Sequence, residues 1–393
     1  MSDSNRVGLA YVKEVTYGVV PGTQLKNIRF TSESLGQDTD STTSQEIRSD
    51  RQISDLVRTN IKGSGDINGE VSFGAYDDFF EWGLQSLVTW STPVAALSGV
   101  TSLEIAVAGG IATITRVGGS FSTDAITVGS MIQLSGMATP GNNTYAGPII
   151  TRTGTQLTMP AGALVTEAAS VTGQMKQLAT ISNSTTLNTM SIEKVYSDIA
   201  STFAMYSGFA IDRMRINAAA DQIMTCGFSF VGKKEVSASV TGGTGTNAAA
   251  PTGSVMNGID NVESFLEAGA SLTGILSLSM ELNNNLRHRN QIGTLGSISI
   301  GSGSVNVTGT VQAYFNSAAL VDKYLNFTAT TIQLVTVDAA GDKYIFLLPR
   351  VKYSNARRVA GGLNQDVVMD LNYTAYMCPA CLKTIVIARI DAP

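Results

Sequence analysis

Hydrophobic and polar positions alternate most cleanly in the stretch 63–87. Ile67, Gly69, Val71 and Phe73 interleave with Asn68, Glu70 and Ser72, the period of a half-buried strand. Directly after them, Tyr76, Phe79, Phe80, Leu84 and Leu87 fall on one helical face. Asp77 and Asp78 occupy its first turn, where carboxylates suit the positive end of the helix dipole. The pattern predicts a strand running straight into a short helix. The same grammar returns at 301–325. There Val305, Val307, Gly309, Val311 and Ala313 alternate, and Ser317 can cap a helix carrying Leu320, Val321, Tyr324 and Leu325. Ile67-x-Gly69-x-Val71 lies over Val307-x-Gly309-x-Val311 at an offset of about 240 residues, with side-chain parity kept.

A second echo follows. Arg215-Ile216-Asn217-Ala218 resembles Arg358-Val359-Ala360, and behind each comes an alternating strand: Met224, Cys226, Phe228, Phe230 against Val367, Met369, Leu371, Tyr373. Here the offset is about 143, so the first half holds an extra block of about 97 residues. That block is visible at 93–175. Its charges up to residue 173 are Glu104, Arg116, Asp124, Arg152 and Glu167, and its short apolar runs are broken by Gly109-Gly110, Gly118-Gly119 and Pro140-Gly141-Asn142-Asn143. Turn signals at this spacing predict a small inserted β-sandwich or barrel.

The expected organisation is mainly β: a first domain from 1–92 and 176–240, the insert at 93–175, a linker at 241–255 and a second domain at 256–393. The Gly- and Thr-rich linker reads as flexible coil, long enough to seat the second domain beside the first or beside a neighbour's. Between 36 and 62 the chain is polar and mixed in charge, with Asp38, Asp40, Glu46, Asp50 and Asp55 against Arg48, Arg51, Arg58 and Lys62. A stretch this long is read as a hairpin arm that orders against a neighbour. The segment 283–296, with Arg287, His288 and Arg289, is its shorter counterpart.

Composition narrows the function classes. The 393 residues are 43% hydrophobic and 15% charged, with 39 Gly against 9 Pro, which suits β structure with many turns. A formal net charge of −5 offers no global basic field for nucleic acid. No apolar run reaches the length of a membrane span, and residues 1–11 lack an apolar signal core. With three cysteines there is no disulfide framework, so a product kept in a cytosol until it assembles is expected.

Chemistry finds few candidates. The single histidine, His288, is flanked by arginines that disfavour its protonated form, and it reads as a loop residue. Cys378-Pro379-Ala380-Cys381 is a lone CxxC that reads as a reduced structural pair, since a zinc site needs about four ligands. Gly63-Ser64-Gly65 and Gly301-Ser302-Gly303 precede strands rather than helices, so they are turns and not phosphate cradles. Asp77-Asp78 fits helix charging better than acid–base work. No catalytic residue, metal or cofactor is expected.

The runs Arg29-Phe30, Glu46-Ile47-Arg48-Ser49-Asp50-Arg51, Gly65-Asp66-Ile67-Asn68-Gly69-Glu70-Val71-Ser72-Phe73 and Tyr76-Asp77-Asp78 resemble the tail tube (major tail) proteins of long-tailed bacteriophages. The resemblance is specific over about residues 25–90 and extends further through the internal repeat. It implies tandem β-sandwich or barrel domains, each with one flanking helix and a long hairpin arm. Such domains close into six-fold rings that stack into a tube conducting DNA from capsid to host cell. With two per chain, three chains would make a pseudo-six-fold ring. The insert resembles the decoration domains on tube exteriors. The resemblance further implies a place in the virion tail, assembly in the host cytoplasm, and partnership with a tape measure protein and tail terminator and tail tip proteins, without a membrane. On this reading Asp66, Asn68, Glu70, Ser72, Asn306, Thr308, Thr310 and Gln312 face the lumen. Asp38, Asp40, Glu46, Arg48, Asp50, Arg51, Arg58, Arg287 and Arg289 are arm residues reaching adjacent rings. The alternative, a phage adhesin or carbohydrate-binding β module, needs an aromatic platform, and Trp82 and Trp90 lie by the helix instead.

Overall fold

In the computed structural model, which describes residues 2–87, 89–143, 145–360 and 362–392, the alternating stretches are strands. In the first half the ladder runs Val7–Lys13, Met190–Tyr196, Phe203–Ala219, Thr225–Gly232, Leu56–Glu70, Gly36–Thr43, every pair antiparallel. In the second half it runs Val262–Glu267, Thr330–Val337, Lys343–Val359, Val368–Ala375, Asn306–Tyr314, Ile275–Asn283, again antiparallel throughout.

The irregularities match as well. One register shift falls between Met190 and Ile192 in the first half and between Thr330 and Ile332 in the second. Another falls between Ile211 and Arg213, and between Tyr353 and Asn355. A bulge bends and twists its strand, so one long strand can serve two sheets. Phe203–Ala219 does this: its early residues pair with Met190–Tyr196 and Lys234–Ala238, and its late residues with Thr225–Gly232 and Ile275–Asn283. Lys343–Val359 repeats the device, pairing early with Thr330–Val337 and Val386–Ile390 and late with Val368–Ala375. The bulges place Asp212 at the position of Ser354. Followed across the ladders, they set Phe230 at Tyr373 and Gly65, not Gly69, at Gly309. The sequence match is therefore slipped along the strand, with parity intact.

The two halves share one apolar core. The first helix, α1 (Asp77–Gly83), sits between them, with Phe79, Phe80 and Trp82 buried. The Phe80 ring lies 5.9 Å from Phe228 of its own half and 5.7 and 6.0 Å from Tyr344 and Phe346 of the other. At its start, the Asp77 carboxylate accepts the Tyr344 hydroxyl and pairs with Arg389. The helix stops at Gly83, so Leu87 does not extend the buried face and is 72% exposed. Its counterpart α2 (Ala319–Leu325) buries only Leu320 and Val321 and has no side-chain cap, Ser317 reaching the Ala319 N–H at 3.4 Å.

Residues 93–175 form a five-stranded and a three-stranded sheet around their own core of Leu103, Ile105, Ile114, Phe121 and Leu157. Met131 and Ala146 of this unit pack on Val335, Ile345 and Val386 of the second half. The chain leaving it, Ala179–Ser182, pairs with Val386–Ile390.

The stretch 241–255 differs from the expected loose coil. Thr241 and Gly242 donate to the Glu193 carboxylate, the Ala248 N–H donates to Leu25 O at 2.8 Å, and Arg29 holds Gly253 O at 2.7 Å. Its glycines serve close approach: a Cβ on Gly242 would lie 2.4 Å from Met205 Cε, and one on Gly243 2.6 Å from Leu25 Cγ. The segment straps the first half.

Candidate functional site

The late residues of Phe203–Ala219 pair with Ile275–Asn283, Arg213 opposite Asn283 through Ala219 opposite Ser277. This ladder joins the inner sheets of the two halves into one. Parity then carries a single polar face across both. Asn68, Gly227, Arg215, Glu281, Thr308, Thr374 and Lys352 form one cross-strand row. Glu70, Thr225, Asn217, Ser279, Thr310, Asn372 and Asn355 form the next. On the opposite face the row Ile67, Phe228, Met214, Leu282, Val307, Ala375 and Val351 is buried.

The polar face is knitted by its own side chains. Arg215 Nε donates to Glu281 Oε2 at 2.7 Å, the Ser279 and Thr310 hydroxyls meet at 2.7 Å, and Gln312 Nε2 donates to Asp370 Oδ1 at 2.9 Å. Its charges are mixed: Asp66, Glu70, Glu281 and Asp370 against Arg213, Arg215, Lys352 and Arg357. The structure brings Asp66, Asn68, Glu70, Asn306, Thr308, Thr310 and Gln312 onto this one face. Ser72 is a correction. The ladder ends at Glu70, and Ser72 is 0% exposed, its hydroxyl accepting Arg29 Nη1 at 3.0 Å, so it cannot line a bore. The residues of the joining strands, Arg213, Arg215, Ser279 and Glu281, were missed, although parity with the apolar Met214, Ile216 and Met280 would have found them.

The arm at 36–62 is a hairpin, Gly36–Thr43 on Leu56–Glu70. Two of its ion pairs are internal: Lys62 with Asp40 and Arg48 with Asp50, both at 2.6 Å. The Arg48 hydrogen bonds hold the Asp50 carboxyl below its ordinary value. Asp38, Glu46, Arg51 and Arg58 are exposed, and so are Ile47, Ile53, Leu56 and Val57. The second hairpin, Arg287–Arg289 on Ser299–Gly301, is not a free counterpart. Arg287 donates to Ser302 O, Arg289 packs against Gly301, and Gly296 sits close to Ile61 at the root of the first arm.

The remaining chemistry is quiet. His288 is half-buried, and burial, then the charge of Lys62 rather than the flanking arginines, depresses its pKa, with Asp40 opposing. Cys378 and Cys381 are buried free thiols, and burial pushes Cys381 up to about 12. Among the described residues no group of three or more His, Cys, Asp or Glu side chains is placed to hold a metal ion.

A family model described as phage tail tube protein matches residues 4–375, across both halves and the insert. The chain belongs to the phage tail tube protein family. No curated protein matches it. A tail tube protein is a structural subunit of the virion tail that assembles with itself into a tube, and is not an enzyme. In a tail tube protein the surfaces that matter are those that meet other copies and the bore.

Proposed function

We propose that three copies of the chain close one ring of the tail tube, each contributing two tube domains, so that the ring has pseudo-six-fold symmetry. The observation that carries this reading is the joint inside the chain. Two halves with one strand order and matching bulges are already joined edge to edge. A body fixed beside its own repeat closes into a ring when the same rotation recurs. The duplicated domains are 1–92 with 176–240, and 256–393. The insert at 93–175 decorates the exterior, and 241–255 is the strap between.

The polar face lines the bore, with Asp66, Asn68, Glu70, Asn306, Thr308, Thr310 and Gln312 joined by Arg213, Arg215 and Glu281. DNA carries one charge per about 1.7 Å of axis, so a basic wall would grip it, whereas a wall of balanced charge lets it slide. DNA then passes from capsid to host cell without specific binding. The first arm, rooted at Asp38 and carrying Asp40, Glu46, Arg48, Asp50, Arg51 and Arg58, reaches the adjacent ring, and Arg287 and Arg289 support its root. Assembly proceeds in the host cytoplasm around a tape measure protein, with terminator and tip proteins closing the ends.

Electron microscopy of the purified protein tests this. Hollow tubes with three copies per ring are expected, and six copies per ring would refute the stoichiometry. Labelling at Glu70→Cys and Thr310→Cys in such tubes locates the bore: free reaction with a bulky reagent applied from outside would refute the lumenal assignment. Dispersed monomers that bind glycan would favour an adhesin.

A further inference from the structure

Each strand of the internal joint has a counterpart in the other half. The matched bulges at Asp212 and Ser354 make residues 355–359 the counterpart of 213–217. Both Ile275–Asn283 and Gly36–Thr43 pair with the strand that leads into the helix of their half, so Glu281 corresponds to Gly36 and Asn283 to Asp38. In the joint, 213–219 and 277–283 satisfy one another. Their counterparts do not: among the described ladders, 355–359 pairs only with Val368–Ala375, and Gly36–Thr43 only with Leu56–Glu70. These two edges lie at opposite ends of the same continuous sheet. Unpaired edges are templates for strand addition.

We infer that residues 355–357 of one copy pair antiparallel with residues 36–38 of a second copy, at the start of its Gly36–Thr43 edge, in the register of the internal joint. This rests on the reading of the chain as a ring-forming tube subunit. Transposed, Arg213 opposite Asn283 becomes Asn355 opposite Asp38, and Arg215 opposite Glu281 becomes Arg357 opposite Gly36. Arg357 then stands diagonally across from Asp38, within reach of a long side chain, and restores a cation–carboxylate contact on the polar face. The edge begins at Gly36 because the Leu35 N–H already donates to Glu33 and its C=O already accepts the Tyr206 hydroxyl. Beyond the joint, the rest of the hairpin runs on as the arm.

A second observation points the same way. Helix α1 is lodged between halves, with Phe80 on Tyr344 and Phe346. Helix α2 holds the same place in the second half, yet Leu325 is 69% exposed and the following Phe327 61%. A second copy docked on the 355–359 edge would cover this bare helix as the second half covers α1.

Directly opposed cross-strand residues have Cα separations within disulfide range. The test is therefore Asp38→Cys with Asn355→Cys in one full-length chain, whose native Cys226, Cys378 and Cys381 are buried. Tubes verified by microscopy are oxidised and run on a denaturing gel. Dimers and closed trimers are expected, while the out-of-register pair Asp38→Cys with Val359→Cys stays monomeric. Links in a longer series would refute three chains per ring but uphold the edge pairing. Hydrogen exchange on the wild-type protein guards against a variant that misfolds: amides in 36–38 and 355–357 gain protection on assembly. Wild-type tubes without that protection, or equal linking in both cysteine pairs, overturn the edge pairing and leave the tube reading intact. Failure of the wild-type protein to form tubes overturns both.

Discussion

Arg215 and Glu281 face each other across the joint between the two halves, Nε to Oε2 at 2.7 Å, on directly opposed positions of the ladder. They are the only charged pair among the ladder partners of that joint. Both side chains are more than a third exposed. A pair so placed contributes under about 1 kcal/mol, and its value is register: it disfavours the slipped pairings that an even-numbered shift would otherwise permit. Arg215→Glu puts two carboxylates opposite one another. The expected cost is about 0.5–1 kcal/mol in thermal unfolding, largely recovered by adding Glu281→Arg. No recovery in the double variant would mean that the two residues do not couple.

Gly69 is required by a tyrosine. A Cβ there would lie 1.9 Å from the Tyr76 hydroxyl, which donates to Arg29 O at 2.6 Å and so ties the strand–helix turn to the chain at Arg29. Gly309 is hemmed in by backbone as well, its Cβ position lying 2.1 Å from Ser279 O and 2.4 Å from the Tyr373 hydroxyl. Neither ring has room to retreat, because Tyr76 and Tyr373 are buried. Gly69→Ala and Gly309→Ala are each expected to cost about 1–3 kcal/mol by overpacking, read as a lowered midpoint in urea. Gly69→Ala combined with Tyr76→Phe should recover part of that loss, since the clashing oxygen is gone.

Acid should loosen the insert before the body. Arg116 and Asp124 form a buried ion pair at 2.6 Å, with side chains 0% and 4% exposed. Burial raises the Asp124 pKa, but hydrogen bonds from Ser98 and Arg116 outweigh it and hold the carboxyl below its ordinary value of 3.8. Glu167 is likewise depressed: burial raises it, but hydrogen bonds from Asn142 and the N–H groups of Ala138 and Thr139 prevail. A depressed folded pKa means stability that is present above the unfolded value and lost as pH falls through the folded one. Protection factors for hydrogen exchange in 98–124, taken against the intrinsic rate at each pH, should therefore fall below about pH 4, ahead of those of the shared core. Asp124→Ala leaves Arg116 buried and unpaired, and should destabilise the insert by about 3 kcal/mol at neutral pH.

Much of this architecture was legible in the chain because parity is a local signal. Ile67, Val71, Val307 and Val311 alternate with polar neighbours, and the sheet buries each of them. The mixed-charge stretch at 36–62 folds as a hairpin, and the β-rich stretch that follows Trp90 has a core of its own. What escaped was non-local. A period of two survives any even shift, so the repeat could be aligned on Gly69 when the bulges require Gly65. A bulge leaves no residue signature of its own. Ser72 keeps the alternation but lies past the end of the ladder, where Arg29 covers it. The glycines of 241–255 serve close contact as readily as flexibility, and only Met205 and Leu25 decide which. Nor does alternation say which edges are joined, since Arg213–Ala219 and its partner read like any other pair of strands.

On the proposed reading, the polar face that lines the bore carries balanced charge, and altering that balance should change how DNA passes. Glu70 and Thr310 belong to one cross-strand row, and both side chains project from the polar face. Glu70→Lys with Thr310→Lys changes the net charge of that row by three units per chain without touching the buried face. Tubes should still form, because neither residue lies in the edges proposed to join copies. Phage carrying the variant should eject DNA more slowly, since each added cation recruits phosphate and releases a counterion. The delay should shrink as salt rises, because the affinity of a basic wall for DNA falls steeply with ionic strength. Equal ejection rates in variant and wild-type particles at low salt would place this sheet face away from the DNA. A slowing that salt does not relieve would point to altered tube geometry rather than charge.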